Sequence, residues 1–132
     1  MRVVLDTSAY SHFKGGRPSI VRRVDSATWI GMPTIVLGEL EVGFRLGRRR
    51  DENLDELESF LAHPAVEVID GDRDVASLYG EIVFELRRKG TPIPTNDIWI
   101  AACTARFGGT LLTYDRHYEL VDRIGVLLLE PD

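Results

Sequence analysis

The sequence predicts an α/β fold, a parallel sheet with helices covering both faces. Short apolar runs without polar alternation recur at residues 2–5, 28–32, 66–69, 110–113 and 126–129, as strands buried on both faces require. Longer segments with helical start and stop signals separate these runs, so the strands are joined by crossovers rather than hairpins. At 132 residues, one domain spanning 1–132 with a single core is expected.

The elements follow in order. The first strand ends at Asp6, and Thr7 or Ser8 can cap a helix that Gly15-Gly16 breaks. Pro18 starts a second helix that runs to Ala27. Pro33 opens a helix running to Leu46 and ended by Gly47, and a further helix over 51–62 closes at Pro64. Asp70 and Asp72 shape a polar turn around Gly71, ahead of a long helix over 74–89 that stops at Gly90. The proline-rich connector 91–95 cannot be regular helix. A helix over 96–107, capped by Thr95 or Asn96, ends at Gly108-Gly109, and a short helix from Asp115 to Asp122 precedes the last strand.

Composition removes several functions. The chain has no apolar run of membrane-spanning length. An acid as early as Asp6 leaves no room for the apolar region of a signal peptide, so cytoplasmic residence is the expectation. Cys103 is the single cysteine and reads as packed helix interior, which excludes an internal disulfide and a cysteine-rich zinc site. The net charge of −5 argues against gripping nucleic acid through overall charge. Positive charge is nevertheless concentrated at Arg45, Arg48, Arg49 and Arg50, and again at Arg87, Arg88 and Lys89. Both groups read first as solvated helix ends favoured by the helix dipole. The first is also the best candidate for contacting an RNA backbone or a protein partner.

Four carboxylates lie beside apolar residues at the edges of elements. Asp6 and Asp115 each follow a strand, and in a parallel sheet both reach the carboxyl edge, where ligands bind at the topological switch point. Glu39 lies within the apolar arc of its helix, about 40° from Ile35, whereas Glu41 faces outward toward Arg45. A glutamate on an apolar face must find a partner, take up a proton or bind a cation. Asp97 opens its helix on the face of Ile100, Ala101 and Thr104. Glu119, four residues after Asp115 on a helical face, is a candidate peripheral fifth acid, while His117 reads as a surface residue. Such hard oxygen ligands suit Mg²⁺ or Mn²⁺.

Four segments in order, Leu5-Asp6-Thr7-Ser8, Leu37-Gly38-Glu39-Leu40, Asn96-Asp97-Ile98-Trp99-Ile100-Ala101-Ala102 and Leu112-Thr113-Tyr114-Asp115-Arg116, resemble the PIN-domain ribonucleases. Their order, their spacing and the chain length are most similar to the VapC-type toxins of toxin–antitoxin pairs. The resemblance implies a five-stranded parallel sheet in the order 3-2-1-4-5. It implies that Asp6, Glu39, Asp97 and Asp115 form a catalytic, metal-binding quartet, supported through hydrogen bonds by Thr7, Ser8, Asn96 and Thr113. The implied activity is Mg²⁺- or Mn²⁺-dependent endoribonuclease cleavage leaving a 5′-phosphate. The implied partners are an RNA substrate, a cognate antitoxin and a second copy of the toxin, in a homodimer and a larger toxin–antitoxin assembly.

Two other readings fit part of the pattern. A catalytically silent module of the same fold, binding RNA or protein, would be free to lose one of the acids, and all four are present. A phosphatase with a strand-end aspartate nucleophile would carry a second Asp two residues on, where this chain has Ser8.

Overall fold

The computed structural model describes residues 1–132. Five strands, β1 (Arg2–Leu5), β2 (Trp29–Pro33), β3 (Val66–Ile69), β4 (Thr110–Thr113) and β5 (Gly125–Leu128), form one sheet. Its order is β3-β2-β1-β4-β5, with every neighbouring pair parallel. The parallel direction is that expected from the unalternated apolar runs, and the order is the one the family resemblance implies.

The missing alternation has a direct cause. Val3, Val4 and Leu5 of β1, and Leu111 and Leu112 of β4, have no solvent exposure, because helices cover both faces of these strands. β3 lies at the edge and departs from the apolar rule: Glu67 and Val68 are exposed, and the Trp29 indole donates to Glu67. Gly31 in β2 is demanded by packing, since a Cβ there would lie 2.3 Å from Ile69 Cδ1 and 2.5 Å from the Trp29 ring.

Helices α1 (Thr7–Lys14) and α2 (Pro18–Ser26) carry the chain from β1 to β2, and α3 (Thr34–Leu46) and α4 (Arg50–Leu61) carry it on to β3. Helices α5 (Arg73–Lys89) and α6 (Thr95–Phe107) bring it back across to β4, and a 3₁₀ turn, Arg116–Leu120, leads into β5. The crossovers β1 to β2 to β3 run one way along the sheet and those from β3 to β4 to β5 the other, so right-handed connections put the two helical groups on opposite faces of the sheet. That reversal makes the carboxyl edge of β1 and β4 the switch point.

Three local expectations are corrected. Helix α1 is capped by Asp6 itself, which accepts the Ala9 N–H at 2.8 Å, and not by Thr7 or Ser8. Their hydroxyls are used elsewhere. Helix α6 has Pro94 at its N-cap and no side-chain cap, so Thr95 and Asn96 lie inside its first turn. The segment after Asp115 is a 3₁₀ turn rather than an α-helix, which changes the face on which each of its residues falls. Cys103 is buried as read, and burial pushes its thiol up to about 11. No helix is long and apolar enough to cross a membrane.

Candidate active site

The register of the central strands builds the site. Leu5 of β1 pairs with Leu112 of β4, so the next residues on each strand, Asp6 and Thr113, come abreast at the carboxyl edge. Thr113 is fully buried and donates its hydroxyl to Asp6 Oδ2. The same Thr113 oxygen accepts the Asp115 N–H at 2.9 Å, which turns Asp115 back toward the sheet. Ser8 donates to Asp6 Oδ1 at 3.0 Å, so the carboxylate of Asp6, only 4 % exposed, accepts three hydrogen bonds, two on Oδ1 and one on Oδ2.

The other two acids arrive on helices. Glu39 of α3 accepts the Thr7 hydroxyl on one oxygen and the Asn96 amide at 3.3 Å on the other. Asp97, in the first turn of α6, accepts the Tyr118 hydroxyl at 3.1 Å on Oδ1. Asp6, Thr7, Ser8, Glu39, Asp97 and Asp115 together line one cavity of about 310 Å³, with Ile100 and Tyr118 closing its floor. The four acids named from sequence thus meet at one place, from four different elements. Thr7, Ser8, Asn96 and Thr113 each hydrogen-bond one of them.

Electrostatics follow from burial. Removal from water raises the Asp6 carboxyl above its ordinary value; bonds from Thr113, Ala9 and Ser8 oppose the rise, and the charge of Asp115 adds to it. Burial likewise raises Asp97, with Tyr118 and His117 opposing and Asp115 adding. The only ion-pair partner of the four acids is His117; no Lys or Arg reaches them. Converging hard oxygens, two of them on desolvated carboxylates that no Lys or Arg neutralises, are a donor set that fits a small divalent cation.

Sequence reasoning missed Tyr118 and placed Glu119 wrongly, while His117, read as a surface residue, is half-exposed at the edge of the acids. Glu119 is exposed, pairs with Arg116 and does not line the cavity. With about three residues per 3₁₀ turn, it is Tyr118 that comes around beneath Asp115, where an α-helix would have put Glu119. The Tyr118 side chain is 1 % exposed, and burial among Asp6 and Asp97 keeps its hydroxyl protonated as a donor. His117 Nδ1 lies 3.1 Å from Asp115 Oδ1 and 3.3 Å from Asp97 Oδ2. The signal available was the spacing alone, two and three residues after Asp115.

The arginine group sits at the end of α3 and the start of α4. Three of its members are engaged: Arg45 and Arg50 both bond Glu41, and Arg49 bonds Glu52. Arg48 makes no ion pair and is exposed. Among the large apolar residues, Phe13, Phe44 and Phe60 pack on the core, whereas Leu46 and Phe84 are 84 % and 62 % exposed.

Comparison with known proteins agrees with this geometry. The family model described as PIN domain matches residues 3–124. Ribonuclease VapC2 of Rickettsia felis is 34% identical over 101 residues, which cover 76% of this chain and 72% of that protein. The crystal structure of VapBC2 from Rickettsia felis bound to a promoter DNA fragment superposes with a TM-score of 0.86 at 24% identity, covering 98% of this chain and 100% of the other. DNA-bound VapBC from Salmonella typhimurium superposes with a TM-score of 0.84 at 29% identity, over 96% and 97% of the two chains. The chain therefore belongs to the PIN domain family, among the relatives of ribonuclease VapC.

Proposed function

We propose that this protein is the ribonuclease toxin of a toxin–antitoxin pair and hydrolyses RNA phosphodiester bonds at a divalent-metal site held by Asp6, Glu39, Asp97 and Asp115. The observation that carries the proposal is the convergence of these four carboxylates, from β1, α3, α6 and the end of β4, on one open cavity at the switch point. The kinship with ribonuclease VapC2 supports the reaction class.

When bound, Mg²⁺ or Mn²⁺ supplies Lewis-acid stabilisation of the scissile phosphate and a more acidic water. The chain's own residues do the positioning. Thr113 and Ser8 orient Asp6, Thr7 and Asn96 orient Glu39, and Tyr118 fixes one oxygen of Asp97 so that the other faces the cavity. Carboxylates held in this way lose little freedom when they take up an ion. Arg48, free of internal pairing at the α3–α4 junction, is the residue to meet an RNA phosphate.

The partners follow from the same kinship. Both compared structures are VapBC complexes, and a cognate antitoxin is the expected partner here, its basic side chain suited to the uncompensated carboxylates. A second copy of the chain would cover Leu46 and Phe84, giving a homodimer within a larger assembly. The site of action is the cytoplasm.

The test is cleavage of total cellular RNA by antitoxin-free protein, with Mg²⁺ or Mn²⁺, with EDTA, and beside Asp97→Asn. Discrete products that need the metal and vanish in the variant are expected. Folded, metal-loaded protein that cuts nothing, or Asp97→Asn cutting at full rate, would overturn the proposal.

A further inference from the structure

We infer that His117 is a direct metal ligand, and that with Asp97 and Asp115 it makes the site select Mn²⁺ over Mg²⁺. The inference rests on the metal-site reading above and deepens it by naming the ion.

The geometry is specific. Asp115 caps the 3₁₀ turn by accepting the His117 N–H on Oδ1 at 2.9 Å, which fixes the backbone of residue 117 beside the acid. From there the imidazole Nδ1 reaches 3.1 Å from Asp115 Oδ1 and 3.3 Å from Asp97 Oδ2. The three atoms all lie within 4.8 Å of one another. Adjacent ligands on an octahedral ion with bonds of about 2.1 Å stand about 3.0 Å apart, so both nitrogen–oxygen separations match edges of such a shell. Tyr118 occupies Asp97 Oδ1, leaving Oδ2 as the oxygen that turns toward His117.

Nitrogen among the donors changes the preference. Carboxylates serve Mg²⁺ and Mn²⁺ alike, but Mg²⁺ sheds water reluctantly and is held through oxygen. Mn²⁺ shares the carboxylate and water preference of Mg²⁺, but it stands at the weak end of the transition series that nitrogen sites bind, and Mg²⁺ lies outside that series. His117 Nδ1 as a ligand would add a bond available to Mn²⁺ and largely withheld from Mg²⁺. The competing role for this side chain is that of an imidazolium counter-ion lying between two carboxylates, which a bound metal would displace.

Pulsed electron paramagnetic resonance of Mn²⁺ bound to the purified full-length, antitoxin-free protein separates the two roles. Coupling of a directly bound ¹⁴N is expected in the wild type and absent in His117→Gln. Calorimetric titration should show His117→Gln weakening Mn²⁺ by about tenfold or more while shifting Mg²⁺ by less than about twofold. Glu119→Gln, one turn away on the exposed side, should leave both affinities unchanged. The ring is half-exposed and the cap uses the backbone, so circular dichroism of His117→Gln should match the wild type. Bound Mn²⁺ without nitrogen coupling in the wild type, or equal weakening of both ions in His117→Gln, would overturn the assignment and leave the nuclease reading standing. Failure of both ions to bind the wild type would overturn both readings.

Discussion

Thr113 donates its hydroxyl to Asp6 across 107 residues of chain and accepts the Asp115 N–H at 2.9 Å with the same oxygen. One buried side chain thus sets both strand-end acids. Thr113→Val keeps the shape and removes both bonds, leaving a desolvated carboxylate short of a donor. Loss of about 1.5–3 kcal/mol of stability is expected, read as a lower urea midpoint with unchanged slope. Thr113→Ser should recover most of it.

Asp6 caps α1 and, in the proposed function, holds metal, two roles that a single substitution can separate. Asn caps helices as well as Asp, so Asp6→Asn should preserve α1 while removing a buried charge. Metal-dependent RNA cleavage should fall by on the order of a hundredfold or more. Metal-free melting temperature at neutral pH should rise. Retention of full cleavage would remove Asp6 from the site.

The pH dependence has a definite sign. Burial raises the Asp6 and Asp97 carboxyls in the folded state, so the folded protein holds more protons than the unfolded chain in the window above their ordinary value. Stability from these two groups is present at low pH and is lost as pH rises through the raised folded values. With EDTA present, the destabilising contribution of Asp6 at neutral pH should shrink on acidification toward about pH 4. The melting-temperature gain of Asp6→Asn over wild type should shrink with it. Metal reverses the sense: stabilisation by Mn²⁺ should fade as pH drops, because protons compete for the same oxygens.

Tyr118→Phe tests the hydroxyl that holds Asp97. The ring stays in the core, so the protein should fold, yet Asp97 Oδ1 loses its donor. Mn²⁺ affinity and cleavage rate should each fall by about tenfold to a hundredfold. Calorimetry and single-turnover cleavage check the two separately.

Arg48 is the free cation of its group, while Arg45, Arg49 and Arg50 are held by Glu41 and Glu52. Arg48→Ala should weaken RNA binding across sequences and reduce the slope of log affinity against log salt by about 0.7 for a single strand. Filter binding of a cleavage-dead Asp97→Asn background at several salt concentrations measures it.

Strands, helices and the four acids could be read from the chain because each announces itself locally. A run such as Val3-Val4-Leu5 without alternation is buried on both faces in any parallel sheet, and an acid just after it must sit at the carboxyl edge. Local pattern is therefore enough for the set of elements and for the edge on which Asp6 and Asp115 lie. The tertiary structure alone decided which side chains meet there. The pairing of Leu5 with Leu112 brings Thr113 against Asp6. Asp97 and Asn96 reach the site only because α6 crosses to the switch point, where Asn96 bonds Glu39 from 57 positions away. The turn after Asp115 tightened from α to 3₁₀, exchanging Glu119 for Tyr118 and bringing His117 among the acids. Runs of 3₁₀ helix this short are common connectors, and this one puts Tyr118 in the core with its hydroxyl on Asp97, contacts made across 21 positions that no local pattern encodes.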